Sequence, residues 1–247
     1  MRLTAVTGLV SGSAGCSNLG MAEAGAATFA DRSRAWRVAL AAVGGVWAAV
    51  TLPFPASAWG DWSWLWIDDV YDYPVYAQAA AAVGDPYVVF GALAGVSFLL
   101  IGLALLPDLD RAGWGGRALA WLVIAGGPVT VVSYLNAPEG APLHAVWGSE
   151  GLLLLAVGLA GPVAAVTAKR PWRPWVRVLL AATLVVVILG VLAFGYWPHG
   201  CLVLLAAEAA AVILAAPRGD PALDGGAGAR DSRSRDVSAS INRPMCG

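Results

Sequence analysis

YVVFGALAGVSFLLIGLALL, residues 87 to 106, is a run of twenty residues without a charged side chain. Its apolar residues form one continuous block instead of recurring at the period of an amphipathic helix or strand. A block of about 18 or more apolar residues is long enough to cross the ~30 Å hydrocarbon core of a bilayer as a helix. A strand is excluded because every backbone polar group in lipid must be satisfied within the segment. The run therefore predicts a transmembrane helix.

Five further blocks share this character, and the overall composition agrees with them. The 247 residues are 59% hydrophobic and 13% charged, with a mean hydropathy of +0.70, whereas a soluble domain is about 25% charged. We predict spans at about 38–52, 87–106, 118–135, 151–168, 178–197 and 201–216. The predicted fold class is an all-α integral membrane protein with six transmembrane helices, in a domain of residues 34–216.

The basic residues predict how the chain is threaded. All fifteen, fourteen Arg and one Lys, precede the first span, follow the sixth, or lie in the second-to-third and fourth-to-fifth connections. The connections 53–86, 136–150 and 198–200 contain none. Because Lys and Arg accumulate in cytoplasmic segments, six spans with both termini cytoplasmic satisfy the pattern. An odd number of spans would place several Arg outside.

These features predict a multi-pass protein of the cell (cytoplasmic) membrane, and the Arg-, Ala- and Gly-rich composition suggests a bacterial source. Residues 1–33 and 217–247 are predicted to be disordered cytoplasmic tails, because they cannot bury enough apolar surface to fold. The net charge of −1 indicates no nucleic-acid partner. The lipid bilayer is the expected partner, and no nucleotide-binding motif is present.

The first outer connection, residues 53–86, contains WGDWSWLWIDDVYDYP at residues 59–74, with four Trp, two Tyr, four Asp and no Lys or Arg. Trp and Tyr favour the headgroup level of a membrane, so one interpretation is an aromatic anchor that caps the bundle. A second is an aromatic pocket with Asp68, Asp69 and Asp72 as ligands or acid/base groups. A third is a surface that docks a partner.

Small residues and prolines within the spans suggest how the helices pack. Gly91 and Gly95 form a GxxxG pair that permits close helix approach, within the chain or between copies in a homo-oligomer. Gly126-Gly127-Pro128 and Gly161-Pro162 are expected to kink or loosen their helices, because Pro removes a backbone donor. Such breaks are either simple helix geometry or the broken helices of a transporter site.

Glu208 is the only acidic or basic side chain in the middle of a predicted span. Such a residue costs about 2.5–3.5 kcal/mol at the bilayer centre and is by default a functional hypothesis. No Lys or Arg lies in a span to pair with it, so we expect it to be protonated or bonded to a hydroxyl. The alternatives are a hydrogen bond that orders the bundle and a proton-relay or solute-coordinating role. The hydroxyl candidates are Ser97, Thr130, Ser133, Tyr134 and Thr183.

A possible divalent-metal site is the second candidate. The only two histidines, His144 and His199, both fall in predicted outer segments. Imidazole with carboxylates is a plausible zinc-type ligand set, but no HExxH or HxxxH spacing is present. The two histidines meet only if the fold brings them together; otherwise they are interfacial residues. The carboxylates that would complete the set are Glu150, Asp68, Asp69 and Asp72.

Two function classes follow. The first, which we favour, is a non-enzymatic membrane protein, either a small transporter or permease-like unit or an accessory subunit. It is favoured by Glu208, the Gly-Pro positions and the short connections. The second is a membrane-embedded, metal-assisted hydrolase with its active site at the outer interface, which depends on the histidines and carboxylates converging.

Overall fold

The computed structural model describes residues 14–58, 67–169 and 172–216. These residues are helical throughout apart from turns, and no strand occurs in them. A single 3-10 turn covers His144–Val146. The α-helices are α1 Ala14–Thr51, α2 Pro53–Ser57, α3 Ile67–Tyr71, α4 Pro74–Ala81, α5 Pro86–Ala112, α6 Trp114–Leu135, α7 Ser149–Thr167, α8 Pro174–Ala181, α9 Thr183–Phe194 and α10 His199–Ala215.

Four segments are long and apolar enough to cross a membrane as single helices: Asp31–Ser57, Pro86–Ala112, Trp114–Leu135 and His144–Thr167. A fifth consists of α8 and α9 taken together, which are bent by 57° where they meet. The last predicted span corresponds to α10, a shorter apolar helix. Each of the six predicted blocks therefore lies on helix, with four or five candidate membrane spans among the described residues.

The N-terminal segment differs from the prediction in part. Helix α1 begins at Ala14, so the backbone of residues 14–33 is helical rather than irregular. The reason is local propensity, because residues 21–37 contain six Ala and three Arg, which are good helix formers. Residues 1–13, the stretch 59–66 and the C-terminal segment 217–247 lie outside the described residues, as do the predictions made for them.

The helix break does not fall at the prolines. Helices α6 and α7 continue without interruption through Pro128 and Pro162. The break lies instead between α8 and α9, at Ala182. Gly161 explains part of this arrangement, since a Cβ added there would lie 2.3 Å from the Leu180 carbonyl oxygen and 2.3 Å from Thr183 Oγ1. The small residue on α7 therefore leaves room for the broken turn of its neighbour.

Glycines set the contact between α5 and α6. A Cβ on Gly95 would lie 2.7 Å from the Gly127 carbonyl oxygen, and a Cβ on Gly91 would lie 2.0 Å from the ring of Tyr134. Helices in lipid associate through such close packing, because lipid tails are as apolar as the side chains themselves. The Gly91/Gly95 pair is therefore used within this chain, and we do not propose a contact between two copies through it.

The remaining helices complete one bundle. Helix α6 packs against α7, which also contacts α8 and α9. Helix α10 lies against α1, α9 and α5, and ten of its residues are buried. The core is correspondingly built from small and branched apolar side chains, with Phe98, Ile101, Leu154 and Leu202 almost fully buried.

Basic side chains tie the helices together at one end of the bundle. Arg37 forms an ion pair with Asp108, which joins α1 to α5. Arg34 donates to the carbonyl oxygen of Ala216, at the end of α10. The backbone N–H of Lys169 donates to the Ala112 carbonyl oxygen at 2.8 Å, so the segment after α7 meets the end of α5. The described segments that carry Arg and Lys are therefore brought together at this end, which we call the basic end.

The opposite ends of the same helices carry aromatic rings. Phe54 stacks on Phe90, with ring centroids 3.6 Å apart. Tyr134, at the end of α6, shares a hydrogen bond with Tyr196, which precedes α10. Tyr87, near the start of α5, lies 5.3 Å from Tyr134 between ring centroids. We call this end of the bundle the aromatic end.

The substitution Gly91→Ala tests the α5–α6 contact. The added methyl group would meet the Tyr134 ring, which must shift, and overpacking of this kind costs about 1–3 kcal/mol. We expect a lower unfolding temperature in detergent for Gly91→Ala. The matched control is Gly84→Ala, because no atom lies within 4 Å of a Cβ built there. Equal unfolding temperatures for the two variants would contradict the packing described here.

Candidate functional site

The buried carboxyl group of Glu208 meets the break between α8 and α9. Glu208 is 7% exposed and lies on α10. Its Oε1 is 2.7 Å from Thr183 Oγ1, and Thr183 is the first residue of α9. Thr183 Oγ1 is also 2.7 Å from the carbonyl oxygen of Leu180, in the last turn of α8. The threonine hydroxyl therefore links the break to α10.

The Thr183 hydroxyl lies within hydrogen-bond distance of two oxygens, Glu208 Oε1 and the Leu180 carbonyl oxygen. The Thr183 hydroxyl has one hydrogen and can donate only once. The Leu180 carbonyl oxygen can only accept, so Thr183 must donate to it for that contact to be a hydrogen bond. The contact with Glu208 is then a hydrogen bond only if Glu208 carries a proton and donates it to Thr183 Oγ1. A proton on the carboxyl group satisfies both contacts at once.

The surroundings of Glu208 favour the same state. Its Oε2 has no hydrogen-bond partner among the described residues. A small cavity of about 20 Å³ borders the side chain, and its walls are apolar apart from Thr183 and Glu208 themselves. That volume holds about one water molecule. An ionised carboxylate would have little compensation there, since a buried charge needs a partner. In this conformation Glu208 does not line an open aqueous route.

The candidate metal ligands occupy separate environments. His144 Nδ1 lies 3.2 Å from the Asn136 carbonyl oxygen, and its ring stacks on Trp147. His199 is completely buried, and its Nε2–H donates to the Phe90 carbonyl oxygen over 3.3 Å. Within residues 14–58, 67–169 and 172–216, no three His, Cys, Asp or Glu side chains form a group that could hold a metal ion.

The carboxylates of that set are also dispersed. Asp69 and Asp72 are exposed, whereas Glu150 is 3% exposed in the first turn of α7. The side chain of Asp68 lies outside the described part of the chain. The structure therefore does not assemble the predicted metal site from the residues it describes.

A pocket of about 170 Å³ lies at the aromatic end, where four segments of the chain meet. Glu150 from α7 is its one acidic residue, and its Oε2 has no hydrogen-bond partner in the described structure. Aromatic residues form most of the remaining wall. They are Tyr87, Tyr134, Trp147, Tyr196 and Trp197.

A second, wider cavity of about 510 Å³ adjoins this pocket and shares Tyr87 with it. Its walls include Phe54, Asp72 and Asp85. The Asp85 carboxylate accepts a hydrogen bond from the Val88 N–H at 3.1 Å and so caps the start of α5. Asp72, predicted as a pocket residue from the acidic outer connection, lines this cavity. Nearby, partial burial raises the pKa of Tyr76.

No protein-family model matches the chain, and neither does any curated protein or solved structure. The function must therefore be argued from the geometry of the two sites. The sequence indicated Glu208 by its position and gave Thr183 as one of five possible partners. It did not indicate the pocket around Glu150, because the wall residues come from four distant segments and share no spacing.

The protonation state of Glu208 can be measured directly. We expect the infrared spectrum of the protein in lipid at neutral pH to contain the carbonyl stretch of a buried protonated carboxylic acid. That band should be absent in Glu208→Gln and present in the control Glu139→Gln, which removes an exposed carboxylate from a connection. An unchanged spectrum in Glu208→Gln would show that Glu208 is not protonated.

Removal of the hydroxyl at the break should destabilise the bundle. Thr183→Val loses the hydrogen-bond contacts with Leu180 and Glu208. A hydrogen bond typically makes a net contribution of about 0.5–1.5 kcal/mol to the free energy of unfolding. We expect a lower unfolding temperature than for Thr167→Val, whose hydroxyl donates only within its own helix, to Val163. Equal unfolding temperatures for the two variants would show that the link contributes nothing to stability.

Proposed function

We propose that the protein is a multi-pass protein of the bacterial cell membrane, which it crosses six times with both termini in the cytoplasm. Three observations support this. Every Arg and Lys falls in the segments that this threading places inside. The described basic segments meet at one end of the bundle, and a cluster of packed aromatic rings lies at the other, formed by Phe54, Tyr87, Phe90, Tyr134 and Tyr196. Helix α10 begins beside the aromatic end and ends where Arg34 caps it at the basic end.

The two irregular spans fit this threading. Helices α8 and α9 together form one broken span. Helix α10, with 17 residues, rises about 25 Å at 1.5 Å per residue, a little less than the ~30 Å hydrocarbon core. Ten of its residues are buried among the neighbouring helices, so most of its surface faces protein rather than lipid. A short helix in that position is tolerated because its ends are shielded by the rest of the bundle.

Within this class, we propose a permease-like unit that moves a small solute, with Glu208 as its proton-carrying group. The single observation that carries the proposal is the hydrogen bond between Glu208 and Thr183 at the break in the fifth span. Interrupted helices and intramembrane carboxyl groups recur at the substrate and proton sites of secondary transporters. Here both occur at one point.

The chemistry of this point suggests how solute and proton would be coupled. Loss of the proton leaves a charge in an apolar cavity with room for about one water, and only one of the two Thr183 contacts can then be a hydrogen bond. Deprotonation therefore favours a conformation that admits water or a polar solute to Glu208. The described conformation, with Glu208 enclosed, corresponds to a closed state of such a cycle.

The alternative of a metal-assisted hydrolase receives no support from the described geometry. His144 contacts the backbone carbonyl group of Asn136, and His199 contacts that of Phe90. Among the described residues, no carboxylates group with the histidines as a metal-ligand set. We therefore do not carry that function forward.

The test is charge movement by the full chain reconstituted in liposomes and adsorbed on a solid-supported membrane. Amines, amino acids, sugars and organic acids are applied in turn, with and without a pH gradient. We expect one class to produce a current that depends on the pH gradient, because proton transfer at Glu208 accompanies transport. Glu208→Gln should abolish this current, whereas Glu139→Gln should keep it.

Two outcomes would contradict the permease proposal. One is that every compound class gives the signal of protein-free liposomes. The other is that Glu208→Gln carries the same proton-dependent current as the unchanged protein. Circular dichroism and unfolding temperature of each variant establish that a lost current does not reflect a lost fold.

A further inference from the structure

We propose that the pocket around Glu150 at the aromatic end binds a small organic cation, of the substituted-ammonium class. This site is separate from Glu208, and the inference does not depend on transport. The pocket of about 170 Å³ combines one buried carboxylate with five aromatic rings. Carboxylate and aromatic faces together are the two kinds of group that recognise an ammonium ion.

The first feature of the pocket is the buried carboxyl group of Glu150. Glu150 is 3% exposed, yet its Oε2 has no hydrogen-bond partner among the described residues. A buried polar atom without a partner is rare, and burying a charge without one is costly. Glu150 lies in the first turn of α7, where the N-terminal end of a helix dipole interacts favourably with an acidic side chain. A ligand that supplies positive charge would satisfy the group.

Among the described residues, no Lys or Arg side chain lies at this end. None of the fifteen basic residues lies in 53–86, 136–150 or 198–200, the connections between spans at the aromatic end. Both histidines are engaged with backbone carbonyl groups, of Asn136 and Phe90. Asp72 and Asp85 line the adjoining cavity and add negative charge to the approach. The electrostatic potential that these carboxylates produce at the aromatic end therefore attracts cations.

The aromatic wall determines which cation fits. Tyrosine and tryptophan faces carry negative quadrupole charge and attract a cation within about 6 Å of the ring centre. Such faces suit an alkylated ammonium ion, whose methyl groups also gain from apolar contact. A divalent metal is a poorer match, because it needs several oxygen or nitrogen ligands. The pocket wall has three tyrosine hydroxyl groups. Two of them, those of Tyr134 and Tyr196, are hydrogen-bonded to each other at 2.5 Å.

The size of the pocket limits the ligand further. A volume of about 170 Å³ is below the ~300–1,000 Å³ of pockets that hold drug-sized ligands. A head group such as trimethylammonium is of the appropriate size. Trp147 and Trp197 are 42% and 45% exposed, so the pocket opens at the surface of the aromatic end rather than into the core.

Calorimetric titration of the full chain in lipid nanodiscs tests the inference, with choline chloride as the probe. The matched probe is 3,3-dimethyl-1-butanol, which has the same shape but carries no charge. We expect saturable choline binding. The affinity for the alcohol should be lower than that for choline by roughly tenfold or more, because the uncharged probe loses the contacts made by the positive charge. Glu150→Gln should weaken choline binding roughly tenfold. Glu139→Gln, which removes an exposed carboxylate from the same connection, should leave it unchanged.

Three results would overturn the inference. Equal affinity for choline and the alcohol would show an apolar pocket without charge recognition. No binding of choline by the unchanged protein would show that this class of cation is not the ligand. Unchanged affinity in Glu150→Gln would place the cation elsewhere. Comparison of the two probes needs no variant, so it stands even if Glu150→Gln fails to fold.

Discussion

The structure depends on one constraint, which is that the interior of a bilayer offers no water to a polar group. In the described part of the chain, charges accordingly lie at the two ends of the bundle, and the one carboxyl group between them, that of Glu208, contacts Thr183. The same constraint explains why the hydroxyl groups of Thr51 and Thr167 donate to carbonyl oxygens of their own helix turns. Both contacts of Thr183 can be hydrogen bonds at the same time only when Glu208 carries a proton.

The two ends of the bundle are held together by different kinds of interaction. At the basic end, Arg37 and Arg34 bring α5 and α10 to α1 through an ion pair and a capped carbonyl oxygen. At the aromatic end, stacked and hydrogen-bonded rings hold the helices, and no described basic side chain takes part. Glu150 is thereby left buried with an unpartnered oxygen among rings. A permease-like unit with these features would meet its solute at the aromatic end and control passage at the break beside Glu208.

The sequence predicted the helices well and their interruptions poorly. Long apolar blocks determine where a helix lies, because hydropathy is a local property, and all six blocks fall on helices. The break at Ala182 was not predicted, since neither Gly nor Pro marks it. It is stabilised by the Thr183 hydroxyl and by the space that Gly161 leaves on α7. Conversely, Pro128 and Pro162 remain inside continuous helices. The Glu150 pocket depends on four segments meeting, which no local pattern encodes.

The threading of the chain is the central claim, and side-specific labelling of single cysteines tests it most directly. In a background without Cys16, Cys201 and Cys246, an impermeant thiol reagent is applied to right-side-out and to inside-out membrane vesicles. Six crossings predict that Gly84→Cys and Gly140→Cys are labelled only in right-side-out vesicles, and Arg111→Cys and Lys169→Cys only in inside-out vesicles. Labelling of Lys169→Cys and Gly140→Cys from the same side would contradict the account.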